Sequence, residues 1–261
     1  MTGRYAIYFA PDPGDPLGQF GSSWLGRDSI DGSARSQLYV NEIPAPRLRD
    51  ITASARHYGF HATLKAPFAL APGENLGALH EALIDFAAAH SPVASLALKV
   101  SELDGFLALT LTEESKSVMN LAADCVRHFD RFRAPLSDAE VERRRKAPLS
   151  KLEDAFLLRW GYPYVMEAFR FHMTLTQRLE DDERRHVLRA LQRLFARIGN
   201  NPFTIDSIAL FVQESRDAPF RMVRRYLLRS GTVISWATNE SIERSTGPSL
   251  DTVTTSPPPT R

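Results

Sequence analysis

The chain has 261 residues, with 32 Lys and Arg against 31 Asp and Glu and a net charge of +1. Its hydrophobic content of 43% is enough for a sizeable core, which excludes a chain that is disordered throughout. The balanced charge disfavours a protein that coats nucleic acid, and a single cysteine, Cys125, excludes a disulfide framework or a cysteine-based metal site. With no signal segment and no apolar run near the ~20 residues that span a bilayer, we expect a cytoplasmic protein without membrane contact.

The first half of the chain alternates strand and helix patterns. An alternating strand over residues 4–9 ends before Pro11, and residues 10–50 are predicted to be mainly loops with one short helix. A strand is predicted around residues 58–66. It is followed by a helix at 74–89 and by strands at 96–103 and 106–112, which Asp104 and Gly105 join in a hairpin turn.

Helices open the second half of the chain. They are predicted at residues 115–132 and 138–159, with Ser137 as the N-cap of the second helix. The pattern then gives a strand at 169–177, a helix at 181–198 and strands at 203–213 and 221–228. Residues 238–261 are rich in Ser, Thr and Pro without apolar periodicity, and they are predicted to form a disordered C-terminal tail.

The order of these elements repeats. A helix, a strand, a turn and a strand follow residues 60–64, and the same series follows residues 171–175. We therefore predict an α+β fold of duplicated β-α-β-β units, in which two pseudo-twofold-related lobes with antiparallel sheets surround a central cleft. Residues 1–237 would form this single bilobal domain, with one lobe built around the strand at 58–66 and the other around the strand at 169–177.

Each predicted unit carries the pattern Phe-His-x-Thr-Leu, with its histidine at His61 or His172. Because strand side chains alternate between two faces, each histidine shares a face with the threonine two residues later, Thr63 or Thr174. Hydroxyls and cations bind phosphate oxygens, and histidine transfers protons near neutral pH. Two such units related by a pseudo-twofold would place one histidine on each side of a phosphorus atom, one as general base and the other as general acid.

Paired His-x-Thr motifs on the strands of a duplicated α+β unit resemble the 2H phosphoesterase superfamily. Several stretches are most similar to its phosphonate-metabolism protein family, namely residues 4–11, 23–26, 58–68, 159–165 and 169–175. The resemblance spans about residues 4–229. It implies a metal-independent hydrolase, a phosphodiesterase in which His61 and His172 are catalytic while Thr63 and Thr174 bind phosphate. Which histidine is the base stays open.

Other polar side chains are candidates for substrate binding. Lys65 and Arg170 fall on the histidine faces of their strands by alternation, Tyr5 lies on the first strand, and Arg224 lies on the last predicted strand. No metal ligand set is expected, because Gly59 and the strand pattern break the helical spacing of His57 and His61. We expect no cofactor.

The expected partner is a small phosphorylated substrate, a cyclic sugar phosphate or a nucleotide. The resemblance suggests hydrolysis of a cyclic phosphodiester, such as a phosphoribosyl cyclic phosphate in phosphonate catabolism. Two alternatives stay open. One is a phosphodiesterase for RNA ends with 2′,3′-cyclic or 2′,5′ linkages, which the balanced charge disfavours, and the other is a non-catalytic module that binds a phosphorylated ligand.

Overall fold

The computed structural model describes residues 3–198 and 202–235, so the tail predicted at 238–261 lies outside the described residues. The strands are β1 (Arg4–Phe9), β2 (Ala62–Phe68), β3 (Val93–Leu96), β4 (Leu98–Leu103), β5 (Phe106–Leu111), β6 (His172–Thr174), β7 (Phe203–Ile205), β8 (Ser207–Gln213), β9 (Arg221–Leu227) and β10 (Val233–Ser235). The helices are α1 (Pro16–Leu25), α2 (Ala45–Ile51), α3 (Ala53–Tyr58), α4 (Leu76–Ala89), α5 (Lys116–His128), α6 (Asp138–Arg145), α7 (Lys151–Trp160) and α8 (Asp181–Ala196).

Serine caps set the starts of three helices. Ser115 caps α5, and Ser137 and Ser150 cap α6 and α7 through reciprocal capping boxes. The predicted N-cap at Ser137 is confirmed. The prediction of one helix over 138–159 is wrong, because Pro148 separates α6 from α7 and a second serine cap restarts the helix.

Most strands form one antiparallel sheet in the order β10-β9-β8-β1-β2-β6-β5-β4, and β3 pairs with β7 in a separate two-stranded sheet. The fold is therefore α+β with antiparallel sheets, as predicted at the level of class. The strand predicted at 169–177 shortens to β6 (His172–Thr174). The strand predicted at 203–213 divides into β7 and β8.

The two faces of the large sheet differ. One face carries the main core, in which strand residues such as Leu64, Leu109 and Met173 pack with α4, α5 and α8. The other face carries a smaller cluster around Tyr8 and Phe211, beside which the polar side chains of the two histidine motifs lie.

The helices and short strands of the two repeated units pack across the units. Helix α4, which follows β2, packs against β9, whereas α8, which follows β6, packs against β4 and β5. The short strands that follow the two helices, β3 and β7, pair with each other. Each unit's helix thus covers strands of the other unit. The arrangement of two lobes around a central cleft stays a prediction.

Candidate functional site

The two histidine motifs meet on neighbouring strands. His61 directly precedes β2 and His172 begins β6, and these antiparallel strands align Ala62 with Met173. This register sets His61 opposite Thr174 and Thr63 opposite His172. Ala62 and Met173 are buried in the main core, so the four motif side chains lie on the opposite face. Directly opposite Cβ atoms are about 4.5–5.5 Å apart, which makes the four side chains a single cluster.

Both imidazole rings make the same kind of hydrogen bond, from Nδ1 to the backbone carbonyl two residues earlier. The Nδ1 of His61 lies 2.9 Å from the carbonyl oxygen of Gly59, and the Nδ1 of His172 lies 2.8 Å from that of Arg170. A carbonyl only accepts hydrogen bonds, so Nδ1–H is the donor in each ring and the neutral Nε2 is an acceptor. The Oγ1 of Thr63 lies 3.2 Å from the Nε2 of His61 and can donate to it.

The surroundings of both histidines favour the neutral form. Burial lowers the pKa of His61 to about 4, against the hydrogen bond to Gly59 that raises it, and the charge of His172 lowers it further. The ring of His61 also stacks on Tyr8, with 3.7 Å between the ring centroids. Burial likewise lowers the pKa of His172. At pH 7 each Nε2 is therefore available to accept a proton.

The structure places Lys65 away from this cluster, against the predicted alternation. Tyr8 aligns with Thr63 but Ile7 aligns with Lys65, so Leu64 is an extra residue in a β-bulge. The bulge turns Lys65 to the face of Ile7, where it is only 3% exposed. Its Nζ donates to the carbonyl of Val126 and pairs with Asp130 at 3.5 Å.

Tyr5 and Arg224 also lie elsewhere. Tyr5 is three residues before Tyr8, so it faces the other side of β1 and packs near Phe68 against the main core. Arg224 aligns with the core residue Leu210 and hydrogen-bonds with Tyr226. Alternation thus carries both side chains to the helix-covered face, away from the histidines, and their role in substrate binding stays a prediction.

Arg170 lies on the histidine side, as predicted. Its side chain is exposed, and its charge contributes to lowering the pKa of His172. A role of Arg170 in substrate binding stays a prediction, as do the roles of the two motif threonines.

Comparison with known proteins identifies the family. Residues 63–221 match the family described as "Protein of unknown function (DUF1045)". The chain belongs to the DUF1045 family. The match begins at Thr63 and includes both threonines of the motifs and His172.

Two relatives carry a functional name. The ribose 1,5-bisphosphate phosphokinase PhnN of Janthinobacterium sp. (strain Marseille) is 41% identical over 221 residues, which are 83% of this chain and 49% of that protein. The protein of the same name from Laribacter hongkongensis (strain HLHK9) is 34% identical over 232 residues, which are 88% of this chain and 53% of that protein. The DUF1045 chain spans about half the length of these relatives.

These names correct the predicted activity. A phosphokinase transfers a phosphoryl group, whereas the sequence interpretation gave a hydrolase that opens a cyclic phosphodiester. The prediction of a cyclic phosphodiesterase is therefore wrong. The coarser prediction, similarity to enzymes that act on a small phosphorylated substrate, agrees with the relatives.

The sequence interpretation missed polar residues of the DUF1045 chain that extend the site. On β5, Thr110 lies opposite His172 and Ala108 lies opposite Thr174. On β4, Ser101 lies opposite Ala108, and its Oγ is 2.7 Å from the Oγ1 of Thr110. Hydroxyls therefore continue from the histidines onto the hairpin. Their alternation within the predicted strands was the available signal, but only the sheet order shows that this hairpin adjoins β6.

Two further findings concern the described residues only. They contain no group of three or more His, Cys, Asp and Glu that is arranged to hold a metal ion. Within residues 3–198 and 202–235, no helix has the length and hydropathy needed to cross a bilayer. The cytoplasmic location stays a prediction.

Proposed function

We propose that this chain binds a phosphorylated ribose and transfers protons during phosphoryl transfer to that sugar. The pairing of β2 with β6 carries the proposal. It sets each histidine opposite the threonine of the other motif, and so brings two imidazoles with accepting Nε2 atoms beside two threonine hydroxyls. The ribose 1,5-bisphosphate phosphokinase name of both relatives supports the substrate class. The PhnN label in those names also fits the resemblance to phosphonate-metabolism proteins.

Binding of the phosphate would rest on the motif hydroxyls. Thr63 and Thr174 lie across the strand pair from His172 and His61, so donors flank the cluster on two sides. A phosphate oxygen is a charged acceptor, and hydrogen bonds to it are about twice as strong as neutral ones. The exposed cation of Arg170 adds attraction to the anion at the same side.

Proton transfer would use one neutral imidazole. As a ribose hydroxyl oxygen forms its bond to the phosphorus of a nucleoside triphosphate, the Nε2 of one histidine takes the hydroxyl proton. The bond between that phosphorus and the nucleoside diphosphate breaks. The imidazolium that forms keeps its Nδ1–H bond to the carbonyl of Gly59 or Arg170, which stabilises it.

The binding half of the proposal is tested by calorimetric titration with ribose 1,5-bisphosphate, with ribose as the uncharged control. Thr63→Val and Thr174→Val remove one hydroxyl each at nearly constant volume. We expect each to weaken binding about tenfold, the loss of one hydrogen bond to a charged group. Thr204→Val, on exposed β7, is the matched control and should bind like the wild type. If Thr63→Val and Thr174→Val both bound the bisphosphate as tightly as Thr204→Val and the wild type, the sugar phosphate would bind elsewhere.

The proton-transfer half is tested by ³¹P NMR of ribose 1,5-bisphosphate with a nucleoside triphosphate. His61→Ala and His172→Ala remove the two candidate bases, and loss of the acting base is expected to slow phosphoryl transfer by about 10²–10⁴-fold. A wild-type chain without turnover, or two variants with wild-type rates, would contradict this half.

A further inference from the structure

A second polar site lies beyond the histidine cluster, in a pocket of about 280 Å³ between β1, β2, α6 and the end of α7. Its aromatic wall includes Tyr162, Trp160 and Phe68. Glu140 is the one carboxylate among the described residues that line it. The cations that line it are Arg4, Lys65, Arg133, Arg143, Arg144 and Arg216.

Four of these cations have carboxylate partners. Lys65 and Arg133 both pair with Asp130, which lies behind the pocket wall. Arg143 and Arg216 both approach Glu140, at 4.0 Å and 3.6 Å. Each carboxylate is thus shared by two cations, and the lining carries a clear excess of positive charge.

The other two cations of the lining, Arg4 and Arg144, contact neutral side chains. The Nε of Arg4 donates to the amide oxygen of Gln213 at 2.7 Å, and the guanidinium of Arg144 lies over the ring of Tyr162, 5.2 Å from its centroid. The Nε of Arg144 is buried without a hydrogen-bond partner in the described part of the chain. Burial, together with the charges of Arg143 and Arg4, lowers the pKa of Arg144. A bound anion would relieve the repulsion between these cations.

Strand β1 runs from the pocket to the histidine cluster. Arg4, Ala6 and Tyr8 share one face of this strand, so Arg4 is about 13 Å from Tyr8, which stacks on His61. The charge of Arg4 and the hydroxyl of Tyr162 both influence the pKa of Tyr8, which burial raises.

We propose that this pocket is a second anion subsite, in which Arg144 and Arg4 bind a second phosphate group of a sugar whose other phosphate lies at the histidines. This inference rests on the proposed function and adds to it a preference for a bisphosphorylated sugar. Arg144 would donate from the terminal nitrogens of its guanidinium, while the aromatic wall of Tyr162 and Trp160 would cover the sugar.

Titrations with ribose 1,5-bisphosphate and with ribose 5-phosphate test the subsite. Arg144→Gln and Arg4→Gln should each weaken binding of the bisphosphate about tenfold, so that the advantage of two phosphates over one shrinks. Arg144→Lys should recover part of the affinity, because it restores the charge without the fork of donors. Arg189→Gln, an exposed charge removal on α8, is the matched control. An undiminished preference for the bisphosphate in both pocket variants would overturn the proposal.

Inorganic pyrophosphate separates this inference from the proposed function. Trp160 lines the pocket, so pyrophosphate binding there should change its fluorescence, and Trp160→Phe should remove that change. A signal that Arg144→Gln abolishes supports the anion subsite even where ribose phosphates fail to bind at the histidines. Ribose bisphosphate binding that depends on Thr63 but not on Arg144 would instead support the proposed function and overturn the subsite.

Discussion

His61 combines a half-buried ring with a fixed position of its proton. Its stack on Tyr8 and its Nδ1–H bond to the carbonyl of Gly59 leave little room for a hydrated imidazolium, and burial lowers its pKa to about 4. An unfolded chain would protonate the same side chain near pH 6.5. Between these two pKa values the imidazole of the unfolded chain is protonated while that of the folded chain stays neutral. His61 therefore lowers the free energy of unfolding as the pH falls from 6.5 towards 4.

Replacement of this side chain should make folding less sensitive to acid. We predict that His61→Gln reduces the loss of unfolding free energy between pH 7 and pH 5 by about 1–2 kcal/mol, a value discounted for partial solvent exposure. Urea unfolding at both pH values measures it. His186→Gln, on the exposed side of α8, should keep the wild-type difference. An unchanged difference in His61→Gln would mean that the imidazole is hydrated in the folded state.

At the scale of single residues, local rules predicted what local geometry decides. Each His-x-Thr pair shares a face because two residues of extended chain bring side chains back to the same side. The same rule failed at Lys65, where the extra residue Leu64 reverses the alternation. Bulges depend on the partner strand, so the sequence of β2 alone does not reveal one.

Among the elements, the β4–β5 hairpin joins most directly to the site. Its turn residues Asp104 and Gly105 both have positive φ, at 46° and 89°. That pair of values is typical of a type I′ turn, which matches the twist of the strands and confirms the predicted hairpin. The turn fixes the register of β4 against β5, which sets Ser101 opposite Ala108 and beside Thr110.

A side chain at Gly105 should therefore weaken the hairpin. We predict that Gly105→Ala lowers the free energy of unfolding by about 1–2 kcal/mol, because a Cβ disfavours the left-handed backbone. Crowding would add little, since the nearest atom to an added methyl group is the Cγ of Arg178 at 3.9 Å. Denaturant titration measures the change. Asp104→Asn is the control that should keep wild-type stability, because Asn tolerates positive φ well, and an equal loss in both variants would contradict the backbone explanation.

The positions of elements were predicted better than their partners. Periodicity located α4 and α8, and both pack their apolar faces into the main core. It gave no sign that α4 covers β9 or that α8 covers β4 and β5, because these contacts join residues far apart in the chain. The sequence therefore predicted the order of the elements but not which strands each helix covers, and the arrangement of two lobes around a cleft stays a prediction.

Across the whole molecule, strands from the two halves of the chain interleave. The large sheet places β6 between β2 and β5, and it places β1 between β2 and β8. The first half supplies β1, β2, β4 and β5, whereas the second supplies β6, β8, β9 and β10. Each half thus contains strand edges and helix faces that only the other half covers, and the histidine cluster exists only where the two halves pair.

A split of the chain would expose this dependence. Residues 146–148 are exposed between α6 and α7, so fragments 1–147 and 148–261 leave every helix and strand of the described chain intact. We predict that neither fragment alone unfolds cooperatively, since β2 and β5 lose β6 while β8 loses β1. An equimolar mixture should regain a single cooperative transition, as should the intact chain nicked at the same site. Circular dichroism during thermal unfolding measures both. A cooperative transition in either isolated fragment would show that one half carries a complete core, which the exchange of α4 and α8 between the halves argues against.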